Sequence, residues 1–274
     1  MDGLGIVAGG GVLPRRIAES ATAAGRSVFI VAFEGHTDPG TVEGFGHVWL
    51  KLGQTDAALR ALHDAACVDV VMAGPMRRPT LSSLSLDRRS MTALAKAGMR
   101  IFGDDGLLSL IVEEIERDGF RVVGVEDLLG GYLAYEGTLA GGPLGDMDER
   151  DVARGVAALR AIGAADIGQA VAVQEGLVLA VEAIEGTDAM IARAGALRRS
   201  GAGPVLVKGS KPGQEGRADR PTIGEGTVAA AAAAGFRGIA IEAGATLVID
   251  RPATVRAVER AGLFLVARNF ADPT

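Results

Sequence analysis

The sequence predicts two α/β domains, the first a doubly wound, mostly parallel sheet and the second a smaller mixed α/β unit. Three observations lead there. Short apolar runs ending in glycine alternate with segments of helical spacing through the first half, the pattern of strands and crossover helices. A glycine-rich stretch without periodicity then breaks the alternation. Beyond it, strand-like and helix-like segments resume, starting with a helix and two adjacent strands. With 274 residues the chain has room for two modest cores. The expected division is 1–132, a linker over 133–148, and 149–274.

The elements follow in order. "GLGIVAG" (Gly3–Gly9) is a short apolar run closed by glycines, the form of a buried parallel strand. Pro14 opens an amphipathic helix to about Ala24, since proline is tolerated in a first turn. "RSVFIVAF" and "HVWLKLG" are the next strands, and Gln54–Ala66 has helical spacing through Ala58, Leu59, Leu62 and Ala65. "VDVVMAG" (Val68–Gly74) is a fourth strand, followed by the basic loop "PMRRPT" and helices to about Ala97 and over Asp104–Asp118. "FRVVGVEDLLGG" gives one more strand and a turn. "YLAYEGTLAGGPLGDMDERD" (Tyr132–Asp151) is the link. A helix spans about Glu149–Ile162, and Glu175-Gly176 turns between two adjacent strands. A helix over Asp188–Arg199, a strand over Pro204–Lys208 and an Ala-rich helix over about Gly226–Ala234 come next. "GIAIEAGATLVID" supplies two strands, Pro252–Ala261 a helix, and "LFLVA" the last strand.

Composition excludes several classes. A net charge of −6 argues against general affinity for nucleic acid, though not against a local basic pocket. The single Cys67 cannot form an internal disulfide and reads as a small buried residue in a reducing compartment. The first residues read as a strand rather than a secretory leader, and the longest apolar candidate is broken by Gln174, Glu175 and Glu182. The expected location is cytoplasmic. His36, His47 and His63 are isolated, without metal-ligand spacing, and no nucleophile elbow or paired-cysteine zinc pattern occurs.

Several stretches carry chemistry. In "AGGGVLP" a strand meets a helix start through Gly9, Gly10 and Gly11, which suits an anion at freed amides. A tight Rossmann-like strand-to-helix turn explains it equally well. "AGPMRRP" puts Arg77 and Arg78 just past a strand's carboxyl end, where open α/β sheets bind ligands. "FGDDGLLSLI" presents Asp104 and Asp105 at a helix start; capping explains one, and magnesium or ribose contact is the other reading. In the second half, Gln169 in "DIGQ", Glu175 in "QEG", and Glu185 and Asp188 in "EGTDAM" put polar groups at strand ends.

The most informative loop runs "VKGSKPGQEGRADRPTIG" (Val207–Gly224). Lys208, Lys211 and Arg217 can neutralise a diphosphate, and Asp219 can hold magnesium or orient water. Thr222 precedes a helix whose N-terminus adds anion affinity. Asp219, Lys208, Lys211, Arg217 and Thr222 are therefore the candidate catalytic set, with Asp219, Asp188 and Glu185 as candidate metal ligands. Gly9, Gly10, Gly11, Arg77, Asp105, Gln169, Glu175 and Gln214 are the candidate substrate contacts.

In order along nearly the whole chain, "GIVAGGGVLP", "AGPMRRP", "GDD", "DIGQ", "EGLVLAVEAIEGTDAM", "KPGQEGRADRPTIG" and "EAGATLVID" resemble the UDP-2,3-diacylglucosamine pyrophosphatases of the lipid A pathway. The form meant is the one unrelated to calcineurin-like metallophosphoesterases. The resemblance implies hydrolysis to UMP and 2,3-diacylglucosamine 1-phosphate (lipid X), with Mg²⁺ or Mn²⁺ as cofactor and water attacking the α-phosphorus. It implies a substrate cleft between two linked domains and a catalytic aspartate in "D-x-P-T-I-G", here Asp219. Pro75, Met76, Arg220 and the linker depart from the family pattern, which bears on substrate preference. The diacyl substrate either leaves the bilayer or is taken from its surface, so peripheral contact with the inner membrane stays open, as does a homo-oligomer. Two other readings stand beside this one. A non-catalytic nucleotide or lipid sensor needs the glycine turn and basic loop without the carboxylate, and a nicotinamide-dependent oxidoreductase lacks its G-x-G-x-x-G.

Overall fold

β1 (Gly3–Ala8) is buried at all but one position, as a strand covered on both faces must be. The computed structural model that contains it describes residues 2–76, 85–97 and 104–271 and falls into two units. The first holds residues 1–130 together with Glu215–Asp219; the second holds Gly131–Gln214 and the chain from Arg220 onward.

In the first unit α1 (Leu13–Ala23) follows β1 and carries Pro14 in its first turn. β2 (Val28–Phe33), β3 (Gly46–Leu50), α2 (Thr55–Asp64) and β4 (Cys67–Ala73) complete the first winding. Helices α3 (Arg88–Ala97) and α4 (Asp104–Arg117) then lead to β5 (Arg121–Val122) and the one-turn α5 (Val125–Leu128). The strands form one sheet in the order β3-β2-β1-β4-β5, parallel at each junction. Leu59 and Leu62 of α2 and Val112 and Ile115 of α4 pack against Val70 and Met72. Cys67 is buried, and burial pushes its thiol up to about 11. Asp69, also buried, is held by Arg26 and Arg121 at 2.7 Å each, joining β4 to the segment before β2 and to β5.

The second unit contains β6 (Gly137–Ala140), α6 (Asp146–Ala164), β7 (Ala170–Gln174), β8 (Leu177–Val181), α7 (Thr187–Ala196) and β9 (Val205–Lys208). β10 (Thr222–Ile223), α8 (Glu225–Ala233), β11 (Gly238–Glu242), β12 (Leu247–Val248), α9 (Arg251–Arg260) and β13 (Phe264–Arg268) follow. Its main sheet has the order β6-β13-β11-β9-β7-β8. The central β13, β11 and β9 are parallel, while β6, β7 and β8 run antiparallel to their neighbours. A separate parallel pair joins β10 to β12. One face of the sheet packs Leu206, Ile239, Ile241 and Leu265 with Met190, Ile191, Val228 and Ala231. The other packs Val171, Val173, Val205 and Val207 with Val152 and Leu159 of α6.

Two expectations change. The stretch expected as a linker contains β6, and α6 starts at Asp146, where the Asp148 carboxylate accepts from the Gly145 N–H at 2.8 Å. Four residues flanked by glycine carry too little alternation to be read as a strand; pairing with β13 supplies what the sequence does not. The second unit is accordingly not the smaller, its main sheet having six described strands against five. None of the described helices is long and apolar enough to cross a membrane.

Candidate active site

Three strands of the second sheet bring their polar ends together. β7 is antiparallel to β9, with Ala170 opposite Lys208, and β8 is antiparallel to β7, with Val181 opposite Val171. Gln169, Glu182 and Lys208 therefore emerge at one end, beyond the carboxyl end of β9, where open α/β sheets bind ligands.

Strand alternation decides which face each residue takes. Val205 and Val207 lie in the α6-side core and Leu206 in the opposite one, so Lys208 follows Leu206 toward α7. There its Nζ donates to Thr187 Oγ1 at 2.9 Å, and that hydroxyl donates to Glu182 Oε1 at 2.7 Å. Lys208 and Glu182 are both buried. An ionised side chain out of water needs such partners, and the hydroxyl links ammonium to carboxylate. The amide-rich N-terminus of α7, which begins at Thr187, favours negative charge at the same place.

A second cation stands close by along the chain. Buried Lys211 donates from Nζ to Asp166 Oδ1 at 2.5 Å, while its backbone N–H donates to Gln214 Oε1 at 2.9 Å. Gln214 Nε2 reaches Gln169 Oε1 at 3.4 Å. Glu242, ending β11, accepts from the Ser210 N–H at 2.7 Å and from Ser210 Oγ at 2.5 Å. Lys208 on the α7 side, and Lys211, Gln214 and Gln169 next to Asp166 just after α6, are each oriented by hydrogen bonds. This arrangement suits an anionic group that exchanges for a carboxylate contact.

The remaining candidates are placed elsewhere. Arg217 and Asp219 were expected in the second domain, but Glu215–Asp219 group with the first unit. The reason is local: Ala218 packs against the first core, and Arg217 pairs with Glu116 at 2.6 Å and Glu215 at 2.9 Å. Those bonds raise the Arg217 pKa further, and Arg217 holds the Glu215 carboxyl below the usual carboxylate range. Asp219 is half-buried at the end of a turn, its N–H donating to the Glu215 carbonyl at 3.0 Å. Thr222 Oγ1 donates to the Arg220 carbonyl at 3.0 Å, at the start of β10.

Glu175 lies at the opposite end of the sheet from Lys208, exposed in the β7–β8 turn. The backbone N–H groups of that turn donate to Asp151 at 3.0 and 2.7 Å, so the Glu175-Gly176 pair closes a hairpin. Glu185 is exposed and ion-paired with Arg193; its own backbone N–H and that arginine lower its pKa. Asp188 stands exposed in the first turn of α7. Gly9, Gly10 and Gly11 donate their N–H groups to Ala73 O, Pro75 O and Asp38 Oδ2 at 2.7, 2.9 and 2.7 Å. Internal acceptors thus take the amides expected to face an anion. Arg77 lies outside the described residues, as does the side chain of Asp105. Among the described residues, no three His, Cys, Asp or Glu side chains stand close enough together to hold a metal ion.

Sequence reasoning missed Glu182, Asp166, Ser210 and Glu242 as site residues. A signal existed for Glu182: counting back from the Glu175-Gly176 turn puts this acid beside the start of β7, directly after an apolar strand. The small-residue strand Ala170–Gln174 is buried throughout, and Val228 and Ala231 of the Ala-rich α8 pack in the core beneath the sheet.

The comparisons with known proteins cover the whole of this architecture. A family model described as the LpxI N-terminal domain matches residues 3–132, and one described as the LpxI C-terminal domain matches residues 135–266. UDP-2,3-diacylglucosamine pyrophosphatase LpxI of Caulobacter vibrioides is 38% identical over 281 residues, covering 97% of each chain. Both halves match in order, and the chain belongs to the LpxI family.

Proposed function

We propose that this protein hydrolyses the pyrophosphate bond of UDP-2,3-diacylglucosamine, giving UMP and 2,3-diacylglucosamine 1-phosphate in lipid A biosynthesis. The observation that carries this is the end-to-end similarity, 38% identity over 97% of both chains, to a UDP-2,3-diacylglucosamine pyrophosphatase. The pre-oriented cations at the end of β9 support it, because an anhydride between two anions needs charge neutralisation before water can attack.

In this reading Lys208 and Lys211 bind phosphate oxygens, Lys211 releasing Asp166, and Gln169 and Gln214 orient the diphosphate. Asp219 positions the attacking water or a divalent cation. If a Mg²⁺ or Mn²⁺ ion binds, Asp219 would be the carboxylate to hold it. Such an ion, when bound, neutralises charge on the leaving phosphate. Arg217 acts by fixing the turn that carries Asp219, through Glu215 and Glu116. The protein works in the cytoplasm and meets its diacyl substrate at the inner membrane surface.

The test is a product assay in ¹⁸O-water with UDP-2,3-diacylglucosamine and Mg²⁺. Release of UMP carrying the label supports attack on the uridine-side phosphorus. Label in the sugar phosphate moves the attack to the other phosphorus, and binding of substrate without UMP release replaces the enzyme by a sensor.

A further inference from the structure

Lys208 ends β9 in register with Ile241 of β11, so the chain leaves the sheet beside Glu242, the last residue of β11. Glu242 is still within the ladder, opposite Arg268 of β13, and its carbonyl accepts from the Thr246 N–H at 3.1 Å. A side chain that grows from so fixed a backbone can hold a loop in place. Its Oε2 accepts from the Ser210 N–H at 2.7 Å and from Ser210 Oγ at 2.5 Å. Bonds to an ionised acceptor are about twice as strong as neutral ones.

The chain on either side of Ser210 is closely packed. A Cβ on Gly209 would fall 2.8 Å from Phe270 Cδ2 and 3.0 Å from Glu242 Oε2, and Phe270 is itself buried. The Gly209 N–H donates to the Gln169 carbonyl at 3.1 Å. Beyond Ser210, a Cβ on Gly163 in the last turn of α6 would fall 3.0 Å from Pro212 Cδ. Residues 209–212 are thus seated between the end of β11 and the end of α6, and Glu242 supplies a charged anchor for the seat. After the anchor come Lys211, buried with its Nζ on Asp166, and Gln214. A carboxylate placed here subtracts from the positive potential that draws a phosphate, so its contribution lies in holding the loop rather than in binding the anion.

We propose that Glu242 is a positioning residue for the hydrolysis: it holds Ser210 and so sets where the loop after β9 presents Lys211 and Gln214. It touches no reacting atom. The proposal rests on the pyrophosphatase reading for the reaction that this loop serves.

The experiment measures UMP release from UDP-2,3-diacylglucosamine with Mg²⁺, per folded molecule and below each protein's melting temperature. It compares full-length wild type with Glu242→Ala, Glu242→Gln, Ser210→Ala and the double variant Ser210→Ala with Glu242→Ala. Both Glu242 variants remove the same charge, and glutamine alone keeps an acceptor for Ser210. Glu242→Ala should lose kcat at least about tenfold with KM within about threefold of wild type, because orientation of the loop counts most in the transition state. Glu242→Gln should recover at least about threefold of that loss. Ser210→Ala should cost about threefold in kcat by itself and nothing further beside Glu242→Ala. Equal losses in the alanine and glutamine variants, additive losses in the double variant, or a lowered melting temperature with full kcat in Glu242→Ala overturns the role. Where Glu242→Ala does not fold, full kcat in Ser210→Ala overturns it. A wild type that releases no UMP removes the reaction and the role together, whereas release with any of these results leaves the pyrophosphatase and removes the role of Glu242 alone.

Discussion

Lys208 takes the place of a core side chain because alternation along β9 leaves it no other direction. Its ammonium donates to Thr187, whose hydroxyl donates in turn to Glu182. Thr187→Val, which keeps the shape and removes the bridge, should cost about 1–3 kcal/mol in urea unfolding, while Thr187→Ser should restore most of it. Equal stability of the valine variant would show the two charges to be satisfied some other way. Asp219→Ala should lower turnover at least about 100-fold with an unchanged melting curve, the range for removing a group that acts on the transition state. Turnover near wild type would release Asp219 from its role. At this scale the sequence displayed the cations and the family's aspartate but not their partners. Asp166, Glu182 and Glu242 reach the lysines and Ser210 only through strand pairings, and no local pattern announces a pairing between residues 45 positions apart.

Among the elements, glycines set how closely strands, loops and helices approach. Gly155 of α6 lies over β9, and a Cβ there would fall 2.4 Å from Val207 Cγ2, so only glycine lets the helix lie this near the sheet. Gly9 does the same for the loops after β1 and β4. Gly9→Ala should destabilise the first unit by about 1–3 kcal/mol, because the neighbour is backbone and cannot rotate away. Gly40→Ala, where nothing lies within 4 Å, should change stability by no more than about 0.5 kcal/mol. Thermal unfolding of the two variants side by side checks the contrast. Most elements were legible because apolar runs and helical spacing mark them directly. Those that were not are short: β6, β10, α5 and the 3₁₀ turn Pro39–Thr41. Two to four residues carry no period, and their conformation comes from what they pair with. The glycine turn was legible as a strand-to-helix turn, but the destination of its amides depended on Asp38, Ala73 and Pro75, far along the chain.

Over the whole molecule, the acids with structural partners set the response to pH. Asp69, held by Arg121 and Arg26, and Glu215, held by Arg217, have carboxyl groups below their ordinary values. A depressed folded pKa stabilises above the unfolded value, near 4, and that contribution is lost as pH falls through the folded value. Asp69→Asn should therefore lower the melting temperature most at neutral pH, and its difference from wild type should shrink as the pH is taken below about 4. A difference that stays constant across that range would mean the arginines contribute nothing through charge. Both acids belong to the first unit, although one of them is encoded long after that unit's own stretch of chain has ended. This has a practical edge for anyone who divides the gene. A fragment stopping at Gly130 arrives without Ala218, which fills part of its interior, and without the arginine that engages Glu116. Such a half should be poorly soluble by itself and be rescued by a short synthetic peptide spanning Glu215–Asp219.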